Sequence, residues 1–153
     1  MTDRGEIDEK PLAIVVGVDG SDSSKAALRW ADRQAGLTGA PLRIISTWHR
    51  PTDYGWAAPW PADVEFEAAA RYALDDSAGV LGADRRTDVS MTALEGHPAA
   101  TLVEQSRSAS LIVVGSRGHG EFAGMLLGSV SEFLVTHAHC PVVVVRGADA
   151  KDS

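Results

Sequence analysis

Apolar and polar residues alternate along this chain in blocks that predict strands and helices in turn. Three continuous apolar runs are too short for helices and predict strands covered on both faces. They lie at 12–18, 111–114 and 142–146. The segment 41–47 predicts another strand, and the alternation over 87–94 predicts a fifth. The inward positions of that alternating segment are Val89, Met91 and Ala93.

Helical periodicity predicts a helix in each of the first two segments between these strands. Ser21 is suited to cap a first helix, which Gly36 and Gly39 are expected to end. A second helix is expected from about residue 62 to residue 81. Its apolar stripe consists of Phe66, Ala70, Leu74, Ala78 and Leu81.

Two further helices are predicted in the carboxyl-terminal half. Pro98 is suited to the first position of a third helix, because its ring fixes φ and it has no N–H to satisfy. Ser129 and Glu132 have the spacing of a capping box at the start of a fourth. The residues expected on the inner side of that fourth helix are Val130, Phe133, Leu134 and His137.

The alternation of strands with helices predicts a doubly wound α/β fold, with a parallel sheet between two helix layers. We expect one domain over residues 11–147, with short tails at 1–10 and 148–153. Ligands in such sheets bind beyond the carboxyl ends of the strands. Asp19 and Gly115 each follow a strand and are expected at that edge.

The segment 48–62 has a different composition from the rest of the chain. It holds three of the four tryptophans and three of the seven prolines, so we expect a long aromatic loop. Trp48, Trp56 and Trp60 have three possible roles: a ligand lid, a partner surface or local packing. Partner contact or packing is the favoured interpretation, because Trp carries interface energy and needs burial.

Composition and charge narrow the classes of function. With 14 Lys and Arg against 21 Asp and Glu, the formal net charge is −7, which argues against nucleic-acid and anionic-membrane binding. No apolar run approaches a membrane span, and the charged start lacks a signal-peptide pattern. Cys140 is the only cysteine, which fits a reducing compartment. The sequence therefore predicts a cytoplasmic protein.

A glycine-rich loop from 115 to 128 carries the strongest candidate chemistry. Gly115, Gly118 and Gly128 let main-chain amides approach an anion, and the helix that follows directs its positive dipole end to the same place. Because the whole molecule is acidic, attraction for an anion must be local, from these amides, Arg117 and Mg²⁺ where it is bound. The Walker pattern is absent, since Gly-Lys-Ser/Thr does not occur.

The spacing Gly115-x₂-Gly118-x₉-Gly128-Ser129 resembles the nucleotide loop of the universal stress protein family. The first strand and turn, from Ile14 to Ser21, and the last strand also resemble that family, so the likeness covers about residues 12–147. The resemblance implies an open five-stranded parallel sheet of order 3-2-1-4-5 with two helices on each face. This is a Rossmann-like fold of the adenine-nucleotide α-hydrolase type.

The resemblance also implies an adenine-nucleotide site, with ATP as the first candidate and a cyclic nucleotide as an alternative. Asp19 would contact the ribose or the base, Gly17 and Thr47 would border the base, and Arg117 would line the phosphate channel. The residues carried over from the family pattern are Gly17, Asp19, Thr47, Val114, Gly115, Arg117, Gly118, Gly128, Ser129, Val130 and Ser131.

Simpler explanations exist for several of these residues. One alternative is that Ser129 acts as a helix cap alone, and another is that Asp19 only shapes its turn. A binding module in stress response or signalling is favoured over a slow ATPase or phosphotransferase, for which His119 and Glu121 are the nearby candidates. An interaction scaffold with an empty pocket is a third hypothesis. No metal site or catalytic residue is predicted.

The last strand, 142–146, falls at the sheet edge in the implied order. An exposed apolar edge favours pairing with a second copy, so a homodimer through this strand is expected, alongside an unidentified protein partner. The segment from His137 to Cys140 does not have helical metal-ligand spacing. Cys140 is interpreted as a packing residue rather than a nucleophile.

Overall fold

The computed structural model describes residues 12–50, 63–82, 88–118 and 127–147. The strands are β1 (Ala13–Gly17), β2 (Leu42–Trp48), β3 (Val89–Glu95), β4 (Ala109–Gly115) and β5 (Val142–Val145). The helices are α1 (Asp22–Thr38), α2 (Asp63–Ala78), α3 (Pro98–Ser106) and α4 (Ser129–His137). The predicted tails, the loop residues Trp56 and Trp60, and the candidate residues His119 and Glu121 lie outside the described residues.

The five strands form one parallel sheet in the order β3-β2-β1-β4-β5, which confirms the expected topology. β1 is central: its Val16 pairs with Ile44 of β2 and with Val113 of β4. The chain winds outward from β1 through β2 to β3, and then returns to β4 and β5 on the other side. The gap between β1 and β4 is therefore the switch point, where a crevice opens beyond the carboxyl ends of the strands.

Two helices cover each face of the sheet. Alternate residues of β1 point to opposite faces: Val16 packs in the cluster under α1 and α2, and Val15 packs in the cluster under α3 and α4. Both side chains are 0% exposed, and burial of each stabilises the fold by about 1.5–3 kcal/mol. An ion pair of 2.8 Å between Lys25 Nζ and Asp76 Oδ2 joins α1 to α2.

The ends of α1 match the sequence prediction at Ser21 and Gly39 but not at Gly36. The Ser21 hydroxyl accepts a hydrogen bond of 3.2 Å from the Ser24 N–H and caps the helix. The helix continues through Gly36 to Thr38, because one glycine costs a helix only about 1 kcal/mol. The left-handed reversal that ends it occurs at Gly39, with φ 77°.

Two boundary predictions and one burial prediction in the middle of the chain were wrong. α2 ends at Ala78, and Leu81 lies in the turn that follows, although it still packs against the core. Trp48 is the last residue of β2, paired with Glu95, and is not part of a loop. Met91 is 46% exposed, because β3 lies at the edge of the sheet, where its faces are only partly covered.

The start of α3 was predicted correctly and the inner face of α4 only in part. Pro98 occupies the first turn of α3, and His97 is the N-cap residue. In α4, Leu134 is fully buried, whereas Phe133 is 40% exposed and His137 is exposed. None of the helices in the described segments is long and apolar enough to cross a bilayer.

The capping box predicted for α4 is wrong. Gly128, which has no side chain, is the N-cap residue, and Ser129 is the first helical residue. The physical reason is that the Gly128 N–H bonds to the Ser116 carbonyl at 2.6 Å, and the Gly128 carbonyl accepts from the Glu132 N–H at 3.0 Å. The helix therefore begins one residue earlier than the serine-glutamate spacing suggests.

Candidate functional site

A cavity of about 360 Å³ opens at the carboxyl edge of the sheet, around the switch point between β1 and β4. Its volume lies within the range of about 300–1,000 Å³ that is usual for small-molecule sites. All eleven residues expected from the sequence line it: Gly17, Asp19, Thr47, Val114, Gly115, Arg117, Gly118, Gly128, Ser129, Val130 and Ser131. The fold thus brings together residues from β1, β2, β4, α4 and the loops between them.

Asp19 is held at the mouth of this cavity by the turn that leads into α1. Its Oδ1 accepts the Ser21 N–H at 2.9 Å, and its own N–H donates to Ser24 Oγ at 3.3 Å. Gly118 lies against its other carboxylate oxygen: a Cβ at Gly118 would stand 2.7 Å from Asp19 Oδ2. A side chain at residue 118 would therefore displace the carboxylate from the cavity wall.

Gly115 must be glycine for a different reason. A Cβ there would lie 2.6 Å from the main-chain carbon of Ser23 and 2.8 Å from its oxygen, so β4 could not approach α1 as it does. The Ser23 hydroxyl also accepts the Arg117 N–H at 3.4 Å. Close approach of α1 thus fixes the first residues of the glycine-rich loop.

The two ends of the glycine-rich loop are joined by main-chain hydrogen bonds. The Ser116 N–H donates to the Val145 carbonyl of β5 at 2.8 Å, and the Ser116 carbonyl accepts the Gly128 N–H at 2.6 Å. The buried Ser131 Oγ lies 3.2 Å from the Ser116 carbonyl and 3.1 Å from the Gly128 carbonyl. Its hydroxyl therefore joins the two ends of the loop, and the expected contact of Ser131 with a phosphate stays a prediction.

The amino terminus of α4 opens into the cavity. Gly128, Ser129, Val130 and Ser131 all line the space, and the hydrogen-bond ladder of the helix begins only with the Glu132 N–H. In the first turn of any helix, amide groups and the positive end of the dipole point outward. This end of the cavity is consequently suited to an anion although the chain carries a net charge of −7.

Sequence reasoning missed several residues that line the cavity. Ile45 and Leu102 supply apolar surface, and His49 and Pro98 also line the cavity. The imidazole of His49 stacks on that of His97 with ring centroids 4.4 Å apart and planes 26° apart. The two histidines are far apart in the sequence. The only sequence signal for their contact is that each comes shortly after a strand, His49 after β2 and His97 after β3.

The segment around Cys140 is not part of the candidate site. Within the described ranges, no three His, Cys, Asp or Glu side chains are grouped so that they could hold a metal ion. Burial raises the pKa of the Cys140 thiol, and a backbone hydrogen bond from Ile112 offsets only part of that effect. A raised pKa leaves little thiolate near neutral pH, which supports packing as the role of this residue.

Alkylation of Cys140 is expected to be slower in the folded protein than in the urea-unfolded protein at about pH 8. The rise of its rate with pH should also be displaced upward, because the folded thiol ionises at a higher pH than a free one. Mass spectrometry of iodoacetamide-treated protein measures both rates. Equal rates in the folded and unfolded chains would contradict this description.

The fold and the cavity define a doubly wound α/β protein with an anion-suited pocket at its switch point. Residues 12–146 match the model of the universal stress protein family, and the chain belongs to that family. Universal stress protein Rv2623 of Mycobacterium tuberculosis is 37% identical over 150 residues, which cover 91% of this chain and 49% of that protein. A universal stress protein of Mycolicibacterium smegmatis is 40% identical over 143 residues, or 89% and 48% of the two chains.

Solved structures agree with this assignment. A universal stress protein crystallised in complex with cAMP is 30% identical, with a TM-score of 0.62, and the match covers 92% of this chain and 100% of that one. A family member from Burkholderia pseudomallei is 27% identical with a TM-score of 0.69, over 92% and 98% of the two chains. The chain spans about half the length of the curated relatives it matches.

Proposed function

We propose that this protein binds an adenine nucleotide, with ATP as the first candidate, in the cavity at the switch point. The observation that carries the proposal is that this cavity joins a helix amino terminus at one end to the Asp19 carboxylate at its mouth. The relative whose structure contains cAMP supports the same class of ligand. The bound nucleotide would serve a stress-response or signalling role by changing contacts with a partner.

The phosphate groups would lie at the amino terminus of α4. Main-chain amides of the first turn and the guanidinium of Arg117 supply the positive field there, and Gly118 leaves the space open. Mg²⁺ accompanying ATP would be held mainly by the phosphates, since the described residues offer no group of three metal-ligating side chains. The protein would therefore contribute amides and one cation rather than a metal cage.

The ribose and the base would lie toward β1 and β2. A ribose hydroxyl can donate to the Asp19 carboxylate, which the turn already holds in place. Gly17 and Thr47 would border the base over the apolar surface of Ile45 and Leu102. A cyclic nucleotide would use the same ribose and base contacts and fewer phosphate contacts.

The direct test is mass spectrometry of the small molecule released when the purified protein is denatured, followed by calorimetry with ATP, AMP, cAMP and GTP. We expect an adenine nucleotide in the released fraction and saturable binding of at least ATP. Failure of the purified protein to bind any of the four nucleotides would overturn the proposal. Steady release of phosphate over many turnovers would favour the ATPase alternative instead.

Asp19→Ala is expected to weaken ATP binding about 5- to 30-fold, the effect of losing one hydrogen bond to a charged group of ~1–2 kcal/mol. Asp19→Asn is the matched variant, because an amide oxygen can still accept the Ser21 N–H while the charge is removed. We expect its affinity to lie between those of Asp19→Ala and the unmodified protein. Calorimetry measures the affinities, and identical ATP affinity in all three proteins would refute the ribose contact.

We also propose that residues 11–147 form a single domain and that two copies of the chain form a homodimer through β5. β5 is an edge strand whose four valines are each only half-buried, and such an edge is stabilised by pairing with a second copy. Light scattering after size exclusion at micromolar concentration should give twice the chain mass of 16.1 kDa. A monomer mass would reject the dimer. The cytoplasmic location stays a prediction.

A further inference from the structure

Two histidines meet at the carboxyl edge of the sheet because β2 and β3 end together. The strands are parallel and in register to their last pair, Trp48 with Glu95, and the Gly96 N–H continues the ladder to the Trp48 carbonyl at 2.7 Å. His49 and His97 follow these positions, and their rings stack with centroids 4.4 Å apart. The half-buried His49 ring is thereby supported by the exposed His97 ring on one of its sides.

His49 is also part of the cavity wall, on the side away from α4. β2 and the β4–α4 connection are separated by β1, and two strand spacings correspond to about 10 Å. A nucleotide with phosphate at α4 would extend its base over about that distance. Pro98 and Leu102 lie in the same wall, so the base would meet an aromatic ring within largely apolar surroundings.

We propose that His49, supported by His97, is the residue against which the aromatic base of the nucleotide stacks. This inference rests on the proposed nucleotide function and assigns a specificity-determining residue within it. A ring fixed by its neighbour loses little rotamer freedom when a ligand binds, so more of the stacking energy appears as affinity. The site would on this account select a nucleotide over a phosphate ligand without an aromatic base.

The test compares ATP with inorganic tripolyphosphate, which has the phosphates but neither ribose nor base. In calorimetry, His49→Ala should lose roughly 5- to 100-fold in ATP affinity, the usual effect of removing one base-stacking ring. Tripolyphosphate affinity should change less than twofold, and His49→Phe should retain ATP affinity within about threefold. His137→Ala is the matched control, because His137 also stacks on a ring but lies on α4 outside the cavity wall.

The outcomes separate this inference from the proposed function. Unmodified protein that binds none of ATP, AMP, cAMP and GTP would refute nucleotide binding itself. Normal ATP binding in both the unmodified protein and His49→Ala would refute only the stacking role. An equal loss of ATP and tripolyphosphate in His49→Ala would also refute it, since that result indicates general damage to the site. His97→Ala should show a smaller loss than His49→Ala, and the reverse order would contradict the supporting role of His97.

Discussion

Gly128→Glu is expected to reduce ATP affinity by at least about 100-fold while leaving the fold intact. Gly128 has φ −72° and ψ 169°, a backbone conformation open to any residue, so the substitution brings no main-chain strain. The new carboxylate would stand at the amino terminus of α4, where we propose that the phosphates bind. Two unit charges 4 Å apart repel by about 4 kcal/mol near a protein surface, which corresponds to a loss of roughly 1,000-fold.

The control for this prediction is Ser110→Glu. Ser110 is exposed in β4 close to the amino edge of the sheet, far from the cavity, so the variant adds the same charge without entering the site. We expect ATP affinity in this control to stay within about twofold of the unmodified protein. Calorimetry gives both affinities, and circular dichroism verifies the fold. Unchanged ATP affinity in folded Gly128→Glu protein would remove α4 from the phosphate site.

Gly115→Ala is expected to lower the free energy of unfolding by about 3 kcal/mol, the upper part of the usual range for overpacking. The added Cβ would lie 2.6 Å from the main-chain carbon of Ser23. Since a main chain cannot rotate away as a flexible side chain can, α1 and β4 must separate. The same movement would disturb the Arg117 N–H contact with Ser23, so we also expect weaker ATP binding.

Gly36→Ala makes the same chemical change with the opposite expected sign. Gly36 is exposed in α1, and no heavy atom lies within 4 Å of the position its Cβ would take. Alanine should therefore stabilise the helix by about 0.5–1 kcal/mol. Urea denaturation followed by circular dichroism measures both variants. If Gly115→Ala proved as stable as the unmodified protein, the tight α1–β4 contact would not exist in solution.

The lining of the cavity could be predicted from sequence mainly because the proposed phosphate end lies in one stretch of the chain. Gly115, Gly118 and Gly128 lie in one loop, and a helix follows directly, so the spacing alone predicts a candidate anion site. Asp19 was found because it follows a buried strand, and the carboxyl ends of parallel strands meet at one edge. All the predicted residues line a single cavity for this reason.

Local patterns failed where two alternatives fit equally well. The spacing of Ser129 and Glu132 fits a capping box, yet a hydrogen bond from Gly128 to Ser116, twelve residues earlier in the chain, moves the cap by one residue. The Ser131 hydroxyl is a group that can bind phosphate, and in the structure it also donates to the Ser116 and Gly128 carbonyls. Ser116 and Ser131 are 15 residues apart in the chain, so no local sequence pattern could predict their contact.

The sequence by itself determined the alternation of strands and helices, the parallel character of the sheet, and the glycine-rich loop, because burial and turn geometry depend on residues close along the chain. Only the tertiary structure decided which distant residues meet: His49 with His97, and Ser23 with Gly115. Those contacts depend on strand register and on the position of α1 over the sheet. Strand register and the position of α1 are both set by packing of the whole core, and packing between distant residues cannot be predicted from a local sequence pattern.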